Sequence, residues 1–506
     1  MRKLTDRIFD QSERDEILNS NHPHYVISAS AGSGKTTMLV DKAFSIIDRK
    51  IIKPFQQIAM ITFTRLATRQ VNEQIQKKMN ESLITDKKKS NYYKHFRVST
   101  TESFILSEII KPFLREAYGA DYPTGENLTQ NYNETYKFKS FDQGLENIKT
   151  QLVIGSFKDN KINFVYQLGL NILKKSRNAR KYMKARFPII MVDEYQDVDN
   201  DMHELYMYLK DMLEIHLFLV GDIKQMLYTF RGADPLLIES LTEDNGFREY
   251  KLTHNFRSHM SIVDYSYNFF EKENLNISYK ENRVQFYFSE NINQNINKFI
   301  SHSNSADDTF AYLFSNRPQW QREKDTFEKH DFVFIDNPPL DSGYPNYEVL
   351  EPVLKLYFNR GTYNIYSMLD EMVIEAKTSF VSKAYEIEET LYDDQEKVLK
   401  LVEEITDRTL LDEEKQKFIE TLDEKYEVNF IIKKPKRVAL TIHTSKGLEF
   451  DHVLINADSF FYSKKFLKQN HYVAITRPKE SLHIISNTKY ETILNEYGVS
   501  TELQLV

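Results

Sequence analysis

Short apolar runs alternate with amphipathic segments along the chain. In the first half, runs with the length and the β-branched content of buried strands lie at residues 25–28, 58–63, 188–192 and 215–220. The segments that follow them carry apolar residues at helical spacing, as in residues 39–47. Buried strands that alternate with amphipathic helices are typical of an α/β fold with a parallel sheet. The first half is therefore predicted to form such a sheet.

The second half repeats this pattern from about residue 251. Strand-like apolar runs lie at residues 311–314, 332–335, 438–442, 452–455 and 482–485. We expect a second parallel sheet, so the predicted fold class is α/β with two sheet domains. A short amphipathic helix over residues 5–18 is predicted ahead of the first strand.

Two stretches with helical spacing interrupt the sheet pattern. Residues 105–186 are mainly helical with glycine and proline breaks, and residues 361–432 are charged and carry apolar stripes at i, i+3, i+4 and i+7. We interpret both as insertions. The first sheet domain is then predicted to comprise residues 1–104 and 187–250, and the second to comprise residues 251–360 and 433–506.

Composition limits the classes of function. A chain of 506 residues is long enough for two to four domains, and the absence of cysteine excludes disulfides, thiolate metal sites and cysteine nucleophiles. The sequence has no apolar run of about 18 residues and a charged N-terminus, so we expect a cytoplasmic protein without membrane segments. With a net charge of −7, binding to nucleic acid would need a local basic groove.

A glycine-rich stretch follows the first predicted strand and precedes a helix. Such a loop directs backbone N–H groups at a phosphate, and the helix N-terminus adds positive partial charge. A lysine here reaches the β and γ phosphates, and the next hydroxyl coordinates Mg²⁺. The stretch comprises Ala29, Ser30, Ala31, Gly32, Ser33, Gly34, Lys35, Thr36 and Thr37, with Ala29 where the general pattern has glycine.

Two acids follow the predicted strand at residues 188–192. Asp193 is predicted to hold Mg²⁺ together with Thr36, and Glu194 to orient or deprotonate the attacking water. The alternative interpretation is a pair of acids in a helix-capping loop. Because polar residues follow four predicted strands in this way, we expect a ligand site at the carboxyl edge of the sheet.

These stretches, taken in order, resemble the motifs of superfamily 1 helicases of the UvrD, Rep and PcrA branch. The resemblance implies two RecA-like domains that bind ATP and Mg²⁺ between them and move along DNA. The matching stretches are residues 29–37, 62–64, 100–104, 193–197, 221–233, 255–258, 441–450 and 472–477.

The resemblance also implies roles for single residues in catalysis. Gln225 would sense the γ-phosphate, and Arg231 would join Arg257 and Arg477 in contacting the phosphates. Arg257 and Arg477 would reach across from the second sheet domain as arginine fingers, which stabilise the charge of the transferred phosphoryl group. Gly447 and Glu449 would bind the nucleotide, with Glu449 at the ribose.

The same resemblance implies a track for single-stranded DNA. Aromatic side chains would stack on bases, and threonine and histidine side chains would hold the backbone. The alternative for each aromatic residue is packing in the core. The stacking residues would be Phe63, Tyr228 and Phe230, and the backbone contacts Thr64, Thr100, Thr441 and His443.

Recognition of the base departs from the family pattern. Phe256 is the expected stacking face for the base, but the adenine-reading glutamine is unclear, because Glu13 stands at its aligned position and Gln11 lies two residues earlier. Thr37 stands where a stacking arginine is frequent. We therefore expect loose base selection that accepts GTP and dNTPs besides ATP.

A closer resemblance covers nearly the whole chain. Residues 108–113, 171–175, 202–210 and 470–477 look like the helicase-like subunits of the Gabija anti-phage system. This resemblance implies a GajA-like nuclease partner of the OLD family with a Toprim domain. We expect the partner to dock on one of the two insertions and favour residues 105–186.

The sequence supports two functions of different kinds. The first is a DNA-dependent NTPase and helicase that translocates along single strands with 3′ to 5′ polarity, as the family implies. The alternative is a sensor of DNA ends and nucleotides that hydrolyses NTP and activates the nuclease with little strand separation. A phosphate-loop NTPase that ignores nucleic acid is disfavoured by the predicted DNA-contacting stretches.

Overall fold

The computed structural model describes most of the chain. The described residues are 8–63, 65–81, 92–125, 128–132, 134–159, 161–227, 232–241, 246–270, 280–287, 291–303, 305–340, 344, 346–372, 374, 377–462 and 465–499. The chain divides into two compact units, Met1–Arg257 and Ser258–Val506. Of the described helices, none combines the length and the apolar character needed to cross a membrane.

The first unit contains a six-stranded sheet in the order β10-β1-β9-β8-β2-β3, and all its pairs are parallel. Its inner strands read as continuous apolar runs because both faces of the sheet are covered. The strands are β1 His24–Ala29, β2 Ile58–Thr62, β3 Phe96–Thr100, β8 Ile189–Val192, β9 His216–Gly221 and β10 Arg248–Leu252.

Alternate residues of each strand point to opposite faces, and each face packs into its own core. Val26 joins the core formed mainly by residues 104–215, whereas Ile27 joins the core formed by the helices that follow β1 and β2. The helices outside the insertion are α1 Gln11–Asn19, α2 Lys35–Asp48, α3 Arg65–Glu81, α4 Thr101–Ile105, α9 Asn200–Leu213 and α10 Pro235–Glu239.

The first insertion is helical, as predicted, and its core is continuous with one face of the sheet. It continues α4 through a π-helical turn, Leu106–Ile110. Its helices are α5 Lys111–Tyr118, α6 Phe141–Gln151, α7 Phe164–Lys175 and α8 Arg177–Arg186, and two short sheets pair β4 Thr129–Gln130 with β6 Val153–Ile154 and β5 Lys137–Phe138 with β7 Ser156–Phe157.

The second unit contains another six-stranded parallel sheet, in the order β11-β18-β15-β12-β14-β13. The predicted α/β class with two parallel sheets is thereby confirmed. Its strands are β11 Val284–Tyr287, β12 Phe310–Phe314, β13 Val333–Phe334, β14 Arg437–Thr441, β15 Phe450–Asn456 and β18 Pro478–Ile485, with a hairpin of β16 Phe461–Tyr462 and β17 Lys465–Phe466.

Helices of the second unit fall into two groups. Those packed with the sheet region are α11 Met260–Tyr267, α12 Ile292–Ile300, α13 Arg317–Glu328, α20 Lys468–Ile475 and α21 Thr488–Glu496. Those of the second insertion are α14 Tyr347–Phe358, α15 Ile365–Glu371, α16 Thr378–Thr390, α17 Gln395–Thr406, α18 Asp412–Thr421 and α19 Glu427–Phe430.

The second insertion begins earlier than predicted. Its apolar core includes Leu340 and the buried face of α14, which the prediction assigned to the sheet domain. Buried Glu414 joins residue 346 to this insertion, because its carboxylate accepts the backbone N–H of Asn346 at 2.7 Å and the Nδ2 of Asn346 at 2.7 Å. The insertion therefore starts near residue 340 and not at 361.

The boundary between the units also differs from the predicted position at residues 250 and 251. Strand β10 pairs in parallel with β1 through Leu252, so the predicted boundary would cut an edge strand of the first sheet. The first unit extends to Arg257. The segment at residues 253–257 therefore belongs with the phosphate loop.

Helix α1 begins at Gln11 and not at residue 5 as predicted, since residues 8–10 are not helical and residues 5–7 lie outside the described residues. The helix is fixed at its C-terminus. The buried Lys42 of α2 donates to the carbonyls of Ile17 at 2.7 Å and Ser20 at 2.6 Å. These carbonyls have no partner within the helix, so a cation satisfies them well. The helix is thereby held against α2, the helix that follows the phosphate loop.

Candidate active site

The phosphate loop lies between β1 and α2, as predicted. Gly32 and Gly34 have φ values of +72° and +78°, a conformation that favours glycine, and α2 begins directly at Lys35. The first N–H groups of a helix have no carbonyl partner within it. The loop and helix start therefore form a cradle suited to a phosphate group.

The segment after β10 packs directly onto this loop. Asn255 Nδ2 donates to the Ala31 carbonyl at 2.8 Å, and the Phe256 N–H donates to the Gly32 carbonyl at 2.8 Å. A Cβ atom on Gly32 would fall 2.7 Å from Asn255 Oδ1 and 2.8 Å from Arg257 Cβ. Glycine is thus required at position 32 for close approach as well as for its backbone conformation.

The predicted metal ligands lie side by side. Thr36 Oγ1 donates to Asp193 Oδ2 at 2.9 Å, and Asp193 is 4% exposed at the end of β8. A hydroxyl and a carboxylate oxygen are ligands that Mg²⁺ accepts when phosphate and water complete its shell. The donor set fits the ion, which when bound would neutralise phosphate charge. Among the described residues, no group of three or more His, Asp or Glu side chains could hold a metal alone.

Glu194 stands beside this pair in a left-handed backbone conformation with φ of +59°. Its N–H donates to Asp193 Oδ1 at 2.9 Å, and its Oε1 lies 3.8 Å from Lys35 Nζ. Burial and the charge of Glu194 raise the pKa of Asp193, and Lys35 opposes that shift. Lys35, Asp193 and Glu194, whose predicted partners are phosphate, metal and water, thus meet at one edge of the sheet.

A chain of hydrogen bonds links Glu194 to Gln225. Gln196 Nε2 donates to Glu194, and Gln196 Oε1 accepts the Asp222 N–H at 2.9 Å. Asp222 Oδ2 accepts Gln225 Nε2 at 2.6 Å, and Gln225 is 4% exposed. Glu194, which is expected to activate water, and Gln225, which is expected to sense the γ-phosphate, are therefore connected through Gln196 and Asp222.

The base side of the site is formed by residues around Phe256. This ring is 44% exposed, and Arg14 lies over it with the guanidinium carbon 4.9 Å from the ring centroid. His254 packs against the same ring at a centroid distance of 4.5 Å. Gln11 is exposed and donates to Asp15 at 2.7 Å, so its predicted contact with the base stays a prediction.

Arg257 belongs to the first unit, which corrects the expectation that it reaches across from the second sheet domain. Its N–H donates to Asn255 Oδ1 at 2.8 Å, beside the phosphate loop. Arg231 lies outside the described residues.

The predicted nucleotide contacts of the second unit surround the end of β14 and α20. Arg477 is 1% exposed and donates to the carbonyls of Val473 at 2.8 Å and Leu448 at 3.2 Å. Gly447 has a φ of +84°, and Glu449 pairs with Lys479 at 3.2 Å. Their roles at a nucleotide stay predictions.

The predicted DNA contacts are described in part. Phe63 is half-buried against the core of the first insertion, which favours packing for part of its ring. Thr100 Oγ1 accepts the Ser103 N–H at 3.3 Å and so caps α4. In the second unit, Thr441 Oγ1 lies 2.8 Å from Thr444 Oγ1, and His443 is half-buried. Thr64, Tyr228 and Phe230 lie outside the described residues.

Sequence reasoning missed several side chains that build the site. Gln196 and Asp222 lie inside recognised motifs, but roles were predicted only for other residues of those motifs. Asp10 and Arg14 gave only the signal of opposite charges four residues apart on a predicted helix. Asn255 lies in the recognised stretch 255–258, but its hydrogen bond to the Ala31 carbonyl could be found only from the structure.

The arrangement is suited to hydrolysis of a nucleoside triphosphate. Lys35 would neutralise the phosphates in the ground state, and Glu194 would orient or accept a proton from the attacking water. Gln225, held by Asp222, would contact the γ-phosphate. The low exposure of Asp193 and Gln225 strengthens these electrostatic interactions, because water screens them less.

Comparison with known proteins places this site in a family. The model of the UvrD/REP helicase N-terminal domain matches residues 10–118 and 114–246, and the model of the UvrD-like helicase C-terminal domain matches residues 437–485. The two models cover the phosphate loop, Asp193 and Glu194, Gln225 and Arg477.

Three relatives illustrate the similarity. The Gabija protein GajB of Bacillus cereus is 33% identical over 516 aligned positions, which cover 97% of this chain and 100% of that protein. A probable DNA helicase II homolog of Mycoplasma genitalium is 27% identical over 47% of this chain and 39% of its own length. The ATP-dependent DNA helicase PcrA of Staphylococcus epidermidis is 26% identical over 50% of this chain and 38% of its own length. The chain thus spans less than half of the two helicases that it matches.

Substitution of Lys35 and Glu194 should separate binding from hydrolysis. We expect Lys35→Ala to lose nucleotide affinity and hydrolysis, because the phosphates lose their cation. We expect Glu194→Gln to retain nucleotide binding and to lose about 10²- to 10⁴-fold in turnover, because only the water loses its base. Equilibrium nucleotide binding and steady-state turnover measure the two effects. Hydrolysis by Glu194→Gln at the parental rate would show that another group activates the water.

Gln196→Leu should lower turnover without a large change in nucleotide affinity. Both hydrogen bonds of its amide would be lost, so the positions of Glu194 and Asp222 relative to each other would no longer be fixed. A displacement of about 1 Å at such a site costs about 10²-fold in rate. The matched control is Gln167→Leu in α7, whose amide donates to Asp201 at 3.0 Å and takes no part in the chain of hydrogen bonds from Glu194 to Gln225. Equal losses in the two variants would argue against a role for Gln196 in positioning.

Proposed function

Because the chain belongs to the UvrD/REP helicase family, we propose that it is a DNA-stimulated NTPase that translocates along single strands with 3′ to 5′ polarity. The observation that carries this proposal is the cluster of Lys35, Thr36, Asp193 and Glu194 at one sheet edge. ATP with Mg²⁺ is the proposed substrate, with GTP and dNTPs also accepted. Each turnover would drive a step along DNA.

We further propose that the chain acts in anti-phage defence with a nuclease partner. The similarity to the Gabija protein GajB extends over nearly the whole of both chains, which supports a shared role more strongly than a motif match would. The proposed partner is a GajA-like nuclease of the OLD family with a Toprim domain.

The two insertions differ sharply in charge. Residues 105–186 carry 14 lysines and arginines against 8 acids, whereas residues 340–432 carry 10 lysines and arginines against 22 acids. Phosphate groups of DNA are attracted to a basic surface and repelled by an acidic one. We propose that DNA runs beside the first insertion and that the nuclease docks on the second, which reverses the preference drawn from the sequence.

A cleft in the second insertion fits a basic side chain of a partner. It has a volume of about 500 Å³, and its lining contains three acids against one arginine, with Leu356, Arg360, Tyr363, Glu388, Glu389, Leu391, Tyr392 and Asp393. Arg360 lies 5.2 Å from the centroid of the Tyr392 ring, so this ring already accepts a cation on one face. The acidic and aromatic lining would attract lysine or arginine.

DNA dependence and direction can be measured together. We expect single-stranded DNA to stimulate NTP turnover and a duplex with a 3′ tail to be unwound in preference to one with a 5′ tail. Lys35→Ala serves as the control for contaminating activity. Turnover stimulated by DNA ends without strand separation would favour the sensor function instead. Turnover that DNA leaves unchanged would contradict both functions.

Charge reversal should separate the two insertions. We expect the triple variant Glu388→Lys, Glu389→Lys and Asp393→Lys to reduce co-purification with the proposed GajA-like nuclease. DNA-stimulated turnover should be retained. The matched control, Lys174→Glu with Lys175→Glu and Arg177→Glu on the first insertion, should reduce DNA stimulation and retain the nuclease. If the intact chain never associates with the nuclease, the partner assignment fails. The opposite pattern would place docking on the first insertion.

A further inference from the structure

Asp10 and Arg14 form a buried ion pair at the start of α1, where they are 3% and 7% exposed. Arg14 Nε donates to Asp10 Oδ1 at 2.6 Å, and Arg14 Nη2 donates to Asp10 Oδ2 at 3.1 Å. The planar guanidinium and the carboxylate thus meet as a two-pronged pair, which fixes direction as well as distance. A buried pair of this kind needs further hydrogen bonds to offset the cost of removing both charges from water.

Those further hydrogen bonds lead to two other segments. Arg14 Nη2 donates to the Ser33 carbonyl in the phosphate loop at 2.8 Å. Asp10 Oδ2 accepts the N–H groups of Thr253 at 2.7 Å and His254 at 2.9 Å, just after β10. The pair therefore ties α1, the phosphate loop and the segment after β10 together.

The segment after β10 carries the ring expected to stack on the base. Two atoms of the Phe256 ring lie 3.7 and 3.8 Å from the position that a Cβ on Gly34 would occupy, so the ring abuts the phosphate loop. Arg14 covers one face of this ring, His254 packs against it, and 44% of Phe256 stays exposed. The exposed part is available to a flat, uncharged ring.

We propose that Asp10 and Arg14 are positioning residues that fix the position of the Phe256 ring relative to the phosphate loop. A nucleotide is then bound by its base and its phosphates together. This inference rests on the proposed NTPase function and adds a base-positioning device to it. Neither residue needs to contact the nucleotide. Arg14 acts through Phe256 and the Ser33 carbonyl, and Asp10 acts through Arg14 and the two backbone N–H groups.

The charges around the pair fit this role. Burial alone raises the pKa of Asp10, but the hydrogen bonds from Arg14 and the His254 N–H lower it below the ordinary value. The carboxylate therefore stays ionised at neutral pH and keeps Arg14 in place. Without Arg14, the Phe256 ring would lose the guanidinium that covers one of its faces, and the Ser33 carbonyl would lose a hydrogen-bond donor.

The test compares a nucleotide with a ligand that has no base. Equilibrium binding of ATP and of inorganic tripolyphosphate, both with Mg²⁺, is measured for the full chain and for Arg14→Ala, Phe256→Ala and the double variant. We expect each single variant to lose about tenfold in ATP affinity, because Arg14→Ala removes a buried hydrogen-bonding group and Phe256→Ala removes a stacking ring, and both effects are of about this size. Affinity for tripolyphosphate should change less than about twofold, and the double variant should bind ATP no worse than Phe256→Ala.

Glu16→Gln is the matched control. Glu16 also joins α1 to β10, through Arg248, but both side chains are about half exposed. This variant should bind both ligands as the parent does. Arg14→Lys keeps the charge and loses the two-pronged geometry, so it should show the same selective loss of ATP affinity, and it replaces Arg14→Ala if that variant does not fold.

Equal losses for ATP and tripolyphosphate would show that the pair only shapes the phosphate loop, and no loss for either would show that it positions nothing. Both results would overturn the inference. A parent chain that binds ATP but never hydrolyses it with DNA would overturn the proposed function, while the selective loss would still be measurable. A parent chain that binds no ATP would overturn both.

Discussion

The parallel order of the first sheet is the constraint on which the active site depends. Because β1, β8, β9 and β10 all run in the same direction, their carboxyl ends meet at one edge. The hydrogen bond of 2.9 Å between Thr36 and Asp193 joins residues 157 positions apart and exists only because β9 alone separates β1 from β8. A single antiparallel strand among these four would send its functional loop to the opposite edge.

This edge concentrates charge, and the fold compensates for it with hydrogen bonds of fixed direction. Two acids lie next to each other at the end of β8, and their repulsion contributes to the raised pKa of Asp193. Lys35 offsets part of that repulsion, and Gln196 holds Glu194 at a definite angle. These contacts orient the two carboxylates without a ligand, and such preorganisation favours electrostatic stabilisation in active sites.

The sequence predicted those parts of the site that are determined by residues close to one another in the sequence. Thr36, Asp193 and Glu194 could be placed because each directly follows a recognisable strand or loop, and the comparisons support the family. The contact of Asp10 and Arg14 with residues 253 and 254 could not be predicted, because it depends on where a helix packs, not on its own spacing. The same reason explains the boundaries. Strand β10 pairs with β1 from more than 200 residues away, and α14 joins the insertion through its apolar face.

Arg257 and Arg477, which the sequence assigned to the same domain, lie in different units of the chain. The backbone N–H of Arg257 donates to Asn255, whose amide binds the Ala31 carbonyl of the phosphate loop. Arg477 lies in the second unit and is held by carbonyls, including that of Val473 near the C-terminus of α20. Its guanidinium is buried, so these acceptors offset the cost of removing the charge from water. The sequence assigned Arg257 to the second domain by its order along the chain, whereas the pairing of β10 with β1 keeps the residues that follow β10 in the first unit.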